Sequence, residues 1–226
     1  MLAMVGSGEY LPEMESVDRT LLARLGTNPQ VVCLPTAAGT ESAERIAYWT
    51  KLGEAHFQRL GVPVTSLPVI DRASADNPRL AARIRDANFV YLSGGRPDYL
   101  FTTLQGSLAW AAIEEVVARG GVLAGCSAGA MIQGEKFFGF PGWRRGFGLI
   151  PGVTILPHYD EIPEAFVNPA RMLVARKMTV IGIESLTALV RGPDGRYDVL
   201  GPGGVIIWRR SGKTRYTAGP LPPDVL

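Results

Sequence analysis

Residues 125–129 read Gly-Cys-Ser-Ala-Gly and place two nucleophiles, Cys126 and Ser127, side by side between two glycines. A serine with glycine two residues before and two residues after it matches the G-x-S-x-G elbow. In that elbow a sharp turn between a strand and a helix exposes the serine hydroxyl. The register puts Ser127 at the centre and turns Cys126 towards the sheet. The pattern predicts Ser127 as the nucleophile of an acyl transfer, although a Gly- and Ala-rich turn also serves tight packing alone.

A serine nucleophile needs a base, and the sequence holds two histidines. His56 lies within a helical pattern, which is typical of a surface residue or a hydrogen-bonded structural residue. His158 follows the apolar run Val-Thr-Ile-Leu-Pro at 153–157, and catalytic groups gather at such strand ends. His158 is therefore the predicted general base.

A carboxylate is expected to orient the imidazole of that base, and the residues alone leave three candidates. Glu184 ends a later strand-like run, Asp160 lies two residues after His158, and Glu135 follows the predicted elbow helix. Each also fits an exposed charge, and Asp160 fits the N-cap of a following helix. Spacing does not choose among them.

The pair Gly94-Gly95 ends another strand-like run. Glycine permits close approach of a ligand, so backbone N–H groups here are candidates for completing an oxyanion hole. A tight turn without a ligand explains the same two residues equally well.

These residues require a sheet whose strand ends meet at one edge. Short apolar runs alternate with amphipathic segments over about the first 130 residues, which predicts right-handed crossovers and a doubly wound α/β fold. Its sheet is expected to be mostly parallel, with helices on both faces. The predicted strands are 1–5, 31–35, 62–67, 88–94 and 121–125, and the predicted helices are 16–26, 41–61, 76–87 and 107–121.

The pattern changes after residue 137. The interpretation is a Gly- and aromatic-rich loop or hairpin at 137–150, a strand at 153–157, a helix at about 161–177 and a strand at 179–184. The remainder predicts a C-terminal β-hairpin region, with a turn at Pro193-Asp194-Gly195. No repeat or linker interrupts the pattern, so residues 1–226 are predicted to form a single domain.

The composition limits the classes of partner. A net charge of +2 gives no basic footprint for nucleic acid. No apolar stretch approaches the roughly 18 residues of a membrane span. Two cysteines cannot make a disulfide framework, and no secretory signal is evident, so a cytoplasmic protein is expected. The oligomeric state stays open, with a homodimer among the alternatives.

Four segments together resemble peptidase family S51, which includes dipeptidase E and cyanophycinase and has a fold like that of class I glutamine amidotransferases. They are YLSGGRPDYLF (91–101), AGCSAGAM (124–131), LPHYDE (156–161) and GIESLTALV (182–190). The resemblance implies a triad of Ser127, His158 and Glu184. It also implies an oxyanion hole formed by the backbone amides of Gly95 and Ala128, and no metal or cofactor.

The resemblance further implies hydrolysis of small peptides, above all dipeptides with an amino-terminal aspartate. Arg171 would bind the aspartate carboxylate, the alternative being a solvated helix arginine. Residues 160–163 (DEIP) depart from cyanophycinase, which carries arginines there, and 96–98 (RPD) depart from the Asn and Thr of dipeptidase E. A cyanophycinase-like or isoaspartyl amide hydrolase, and a catalytically silent amidotransferase-like binding protein, therefore stay as alternatives.

Overall fold

The computed structural model describes residues 1–139, 142–163, 167 and 177–226. Its first sheet contains five parallel strands in the order β3-β2-β4-β5-β1, with three antiparallel strands continuing from β1 in the order β10-β11-β14. The bounds are β1 Leu2–Val5, β2 Val31–Leu34, β3 Val64–Ser66, β4 Phe89–Leu92, β5 Val122–Cys126, β10 Ala188–Arg191, β11 Tyr197–Leu200 and β14 Gly219–Pro220.

A second sheet has the order β7-β6-β8-β9-β12-β13. Its three central strands β6, β8 and β9 are parallel. At one edge β7 pairs antiparallel with β6, and at the other β12 pairs antiparallel with both β9 and β13. The bounds are β6 Gly134–Gly139, β7 Gly142–Arg145, β8 Ile150–Pro157, β9 Thr179–Ile183, β12 Val205–Arg209 and β13 Gly212–Tyr216.

Helices cover both faces of the first sheet. Successive β1 residues illustrate why: Ala3 and Val5 pack with α1 and α2, whereas Leu2 and Met4 belong to the core on the opposite face. A strand that is buried on both faces is stabilised by an apolar residue at every position, which explains the continuous apolar runs in the sequence. The helices are α1 Glu15–Ala23, α2 Ala43–Arg59, α3 Arg72–Ala75, α4 Pro78–Arg85, α5 Pro97–Leu104, α6 Leu108–Ala118 and α7 Ala128–Met131.

The predicted α/β class, with a parallel sheet and helices on both faces, is confirmed, and each predicted strand and helix of the first 130 residues is present. The sequence pattern did not separate the later strands into a second sheet. Ile155 and Ile183 of that sheet share a core with Met4 of the first, so an apolar strand in either sheet has the same pattern. The hairpin turn is confirmed, since Gly195 has φ 81° and Gly192 donates to the Arg196 carbonyl at 2.8 Å.

The predicted helix at 161–177, which includes Arg171, lies mostly outside the described residues. None of the described helices has both the length and the apolar character needed to cross a membrane.

His56 on α2 is a structural residue. It is fully buried, and its Nε2 shares a 2.7 Å hydrogen bond with Oδ2 of Asp18 on α1. Burial raises the pKa of the Asp18 carboxyl above its ordinary value, against the opposing effect of the His56 hydrogen bond. The pair joins the two helices that cover one face of the first sheet.

Removing one partner of this pair is expected to destabilise the fold. Asp18→Ala leaves the His56 ring buried without its acceptor, so the free energy of unfolding is expected to fall by about 1–3 kcal/mol in urea titrations. The free energy of unfolding of the double variant Asp18→Ala/His56→Ala should fall by less than the sum of the decreases in the two single variants. A loss below about 1 kcal/mol in Asp18→Ala would show that the bond contributes little.

Candidate active site

Ser127 occupies the turn between β5 and α7. Its backbone has φ 48° and ψ −104°, a conformation that side-chain-bearing residues adopt at an energetic cost. The Ser127 N–H donates to the Val5 carbonyl at 3.0 Å, which ties the strained residue to β1. A side chain at Gly125 would overlap the backbone of Gly129, so the turn has room for glycine there. The structure thus has the backbone of a nucleophile elbow at the predicted position.

Cys126 points away from this turn. Its thiol is fully buried in the core facing α1 and α2, and Sγ donates to Oε2 of Glu9 at 2.9 Å. Burial, and then the negative charge of Glu9, raise the pKa of the Cys126 thiol well above its ordinary value. A thiol in this setting stays protonated, and it is the thiolate that attacks carbonyl groups. The interpretation of Cys126 as a packing residue agrees with this geometry.

Glu9 ties two of the loops at this edge together, and the sequence reasoning missed it. Its Oε1 accepts from the Gly94 N–H at 2.8 Å while Oε2 accepts from Cys126, so one carboxylate binds the loop after β4 to the end of β5. The available signal was its place in Gly-Ser-Gly-Glu just after β1, at the same sheet edge as the elbow.

Gly95 lies beside the elbow in a conformation suited to glycine. Its φ is 142°, and a Cβ there would lie 2.7 Å from the carbonyl oxygen of Ala37. Within the described part of the chain, the backbone N–H groups of Gly95 and Ala128 donate to no other group. Two free N–H groups on adjoining loops are what an oxyanion hole requires.

We expect Gly95→Ala to lower kcat more than it changes KM. The added methyl group must push the loop away from Ala37, which moves the N–H that is predicted to bind the oxyanion, and losing one such donor costs about 10²–10³-fold in kcat. Gly26→Ala is the matched control, because Gly26 also has positive φ (80°) but open surroundings. Equal kinetic effects of the two substitutions would exclude a role for the Gly95 N–H.

His158 follows β8 and lies on the same cavity as Ser127 and Gly95. Its φ is 114°, again an unusual value for a residue with a side chain, and its N–H donates to the Ile183 carbonyl at 3.1 Å. The cavity has a volume of about 340 Å³, within the range of about 300–1,000 Å³ common for small-molecule sites. The structure therefore brings the predicted nucleophile and the predicted base to one cavity.

Glu184 lies beside His158 across the β8–β9 pair, whose last matched residues are Pro157 and Ile183. Its carboxylate forms a two-point ion pair with Arg215 on β13 (Nε–Oε1 2.7 Å, Nη2–Oε2 2.6 Å) and accepts from the Gly204 N–H at 2.8 Å. The Arg215 hydrogen bonds are the main reason that the pKa of Glu184 lies below its ordinary value. Glu184 is therefore held as a carboxylate, and Arg215 is a second residue that sequence reasoning missed.

The other two acids bind backbone groups. Oδ1 of Asp160 accepts from the Ser185 N–H at 2.8 Å, and Oε2 of Glu135 accepts from the Gly152 N–H at 2.7 Å. Among the described residues, neither these carboxylates nor Glu184 forms a hydrogen bond with the His158 ring. Arg171 lies outside the described residues, so its predicted role stays a prediction.

A strained serine between β5 and α7, with an imidazole on the same cavity, is the arrangement of a serine hydrolase. The model of peptidase family S51 matches residues 1–195. The chain belongs to peptidase family S51. Membership places it among the serine-type peptidases, as the four sequence segments indicated.

Individual proteins agree with this assignment. The crystal structure of a peptidase from an acI-B1 Actinobacterium is similar to this S51 peptidase with a TM-score of 0.87 and 37% identity, covering 96% of this chain and 94% of the other. A cyanophycinase of Trichormus variabilis is 26% identical over 90% of this chain and 72% of its own length. An uncharacterized peptidase of Listeria innocua is 31% identical over 59% of this chain, and the match spans 66% of that relative.

Proposed function

We propose that this S51 peptidase hydrolyses small peptides through an acyl-enzyme formed on Ser127. The observation that carries the proposal is the common cavity that Ser127, His158 and Gly95 all line. A nucleophile, a base and an oxyanion donor on one cavity are the groups that amide hydrolysis needs.

In the proposed reaction, Ser127 Oγ attacks the substrate carbonyl carbon while His158 takes its proton. The tetrahedral oxyanion accepts hydrogen bonds from the backbone N–H groups of Gly95 and Ala128. His158 then gives its proton to the departing amine, leaving an ester on Ser127. Water, activated by the same imidazole, hydrolyses the ester and restores the hydroxyl.

Glu184 is the orienting carboxylate in this proposal. The support is its place next to His158 at the ends of two paired parallel strands, together with the resemblance of the segment that contains it. Arg215 and Gly204 fix the carboxylate with one hydrogen bond to Oε1 and two to Oε2, so Oε1 keeps a further lone pair with which to accept from the imidazole. Asp160 is the alternative, since its Oδ2 forms no hydrogen bond with another described residue.

Paired isosteric substitutions test this assignment. We expect Glu184→Gln to lower kcat by about 10²–10⁴-fold, because an amide holds the imidazole less well and does not stabilise its charged form. Asp160→Asn should lower kcat by less than about tenfold. The reverse order would make Asp160 the orienting residue.

The proposed substrates are dipeptides with an amino-terminal aspartate, as the resemblance to dipeptidase E implies. A second candidate activity is hydrolysis of β-linked Asp-Arg, which the likeness to the Trichormus variabilis cyanophycinase favours. The proposed location is the cytosol, in line with two cysteines that are both free and buried.

A labelling experiment and a peptide panel test the proposal together. A fluorophosphonate probe should modify Ser127, as located by peptide mass spectrometry. The panel should contain Asp-X dipeptides, Ala-X dipeptides and β-Asp-Arg, and it separates the two candidate activities by their relative kcat/KM. Absence of hydrolysis across the panel, with no label on Ser127, would favour a catalytically silent binding protein.

A further inference from the structure

The wall of the cavity that holds Ser127 and His158 is largely apolar. Two aromatic residues of the β6–β7 hairpin, Phe138 and Trp143, form a cross-strand pair with ring centroids 5.5 Å apart. Further apolar side chains come from the elbow helix, the start of α5 and the His158 segment: Pro97, Met131, Leu156, Pro157 and Ile162. His158 is the one titratable side chain among the described residues that line the cavity.

Part of this apolar wall faces solvent. Phe138 is 50% exposed, and Trp143 is partly exposed beside it. A patch of large apolar side chains next to a reactive serine marks a place where a ligand buries apolar surface. Burying one Phe or Leu side chain there would increase binding by about 10–100-fold.

The position of the wall relative to His158 indicates which substrate residue it contacts. His158 returns its proton to the departing amine, so the residue that carries this amine lies beside the His158 segment. Leu156, Pro157 and Ile162 of that segment belong to the wall. A carboxylate side chain placed there would lose hydration without gaining a partner from the apolar wall.

Resting on the proposed peptidase function, we propose that this wall is the binding site for a large apolar side chain on the leaving-amine side of the scissile bond. The preferred substrates are then dipeptides X-Phe or X-Leu, with aspartate as the proposed X.

The first test varies the second residue of Asp-Y and Ala-Y dipeptides, with Y as Phe, Leu, Ala or Glu. A matched set of X-Ala dipeptides varies the first residue, with X as Phe, Leu or Ala. We expect kcat/KM to be about 10–100-fold higher for Phe and Leu than for Ala at the second residue, with Glu no better than Ala. Ser127-dependent hydrolysis without this order would overturn the inference and leave the proposed function standing. A preference for Phe or Leu at the first residue would also overturn it.

A pair of variants tests whether the preference for Phe at the second residue depends on the apolar wall. Phe138→Ala should lower the Phe-to-Ala ratio of kcat/KM by about 5–10-fold, mainly through KM for the Phe substrate. Tyr48→Ala is the matched control, because Tyr48 is another half-exposed aromatic residue (48%), lies on α2 and does not line the cavity, so the ratio should stay unchanged. A Phe138→Ala ratio equal to that of the wild type would overturn the inference.

Measurements of dipeptide binding test the proposed subsite even if no peptide is hydrolysed. Calorimetric titration of Ser127→Ala with Ala-Phe and Ala-Ala should show at least tenfold tighter binding of Ala-Phe, and the difference should shrink in Ser127→Ala/Phe138→Ala. Equal affinities would overturn the proposed subsite. Absent hydrolysis combined with the binding difference would overturn the proposed function alone.

Discussion

We expect Ser127→Ala to lower kcat/KM for the best dipeptide by about 10⁴–10⁶-fold, the scale seen when the nucleophile of a serine hydrolase is removed. The substitution deletes the oxygen that forms the acyl bond, and no neighbouring group replaces it, since the adjacent Cys126 thiol is buried and held by Glu9. The substrate cavity keeps its other walls, so KM should change far less than kcat.

Ser211→Ala is the control for Ser127→Ala, because Ser211 is an exposed serine in the turn between β12 and β13. It should leave kcat/KM within about twofold of the wild type. Retained hydrolysis in purified Ser127→Ala, coupled with loss of hydrolysis on iodoacetamide treatment, would point to Cys126 and show that the elbow had been misread.

His158→Ala is expected to produce the next largest loss, about 10³–10⁶-fold in kcat/KM. Without the imidazole, the Ser127 hydroxyl must lose its proton to water, and the departing amine must gain one without a nearby acid. The rate at which a fluorophosphonate probe labels Ser127 should fall as well, because that reaction needs the same base.

Added imidazole gives a sharper readout than activity loss alone. A small base that enters the space left by the His158 ring should restore part of the activity of His158→Ala and none of the activity of Ser127→Ala. Restoration in neither variant, with hydrolysis by His158→Ala close to that of the wild type, would remove His158 from the reaction.

The elbow at Ser127 and the position of His158 at a strand end could be predicted from sequence because local patterns encode them. Gly125 and Gly129 around Ser127 specify a cramped turn, and the apolar run before His158 specifies a strand that ends there. The rule that ligands bind at the carboxyl ends of parallel strands then places both residues at one edge. These features depend on neighbours in the chain.

The remaining site residues could not be predicted because their partners are distant in the chain. Glu9 and Cys126 are 117 positions apart, and Glu184 and Arg215 meet through the pairing of β12 with both β9 and β13. Phe138 and Trp143 line the cavity because the second sheet lies against the first, an arrangement that hydrophobic periodicity does not specify. The ion pair, the hydrogen bonds of Glu9 and the apolar wall of the cavity could therefore be identified only from the structure.

Arg215 has a consequence for the way relatives of this protein are compared. It lies beyond residue 195, where the family match ends, yet its guanidinium neutralises the carboxylate at the end of β9. A chimaera that keeps residues 1–195 and borrows another tail would retain every segment by which the family is recognised while losing this counter-ion. Substitution of Arg215 is therefore a way to change the pKa of Glu184 while every segment shared with the family stays unaltered.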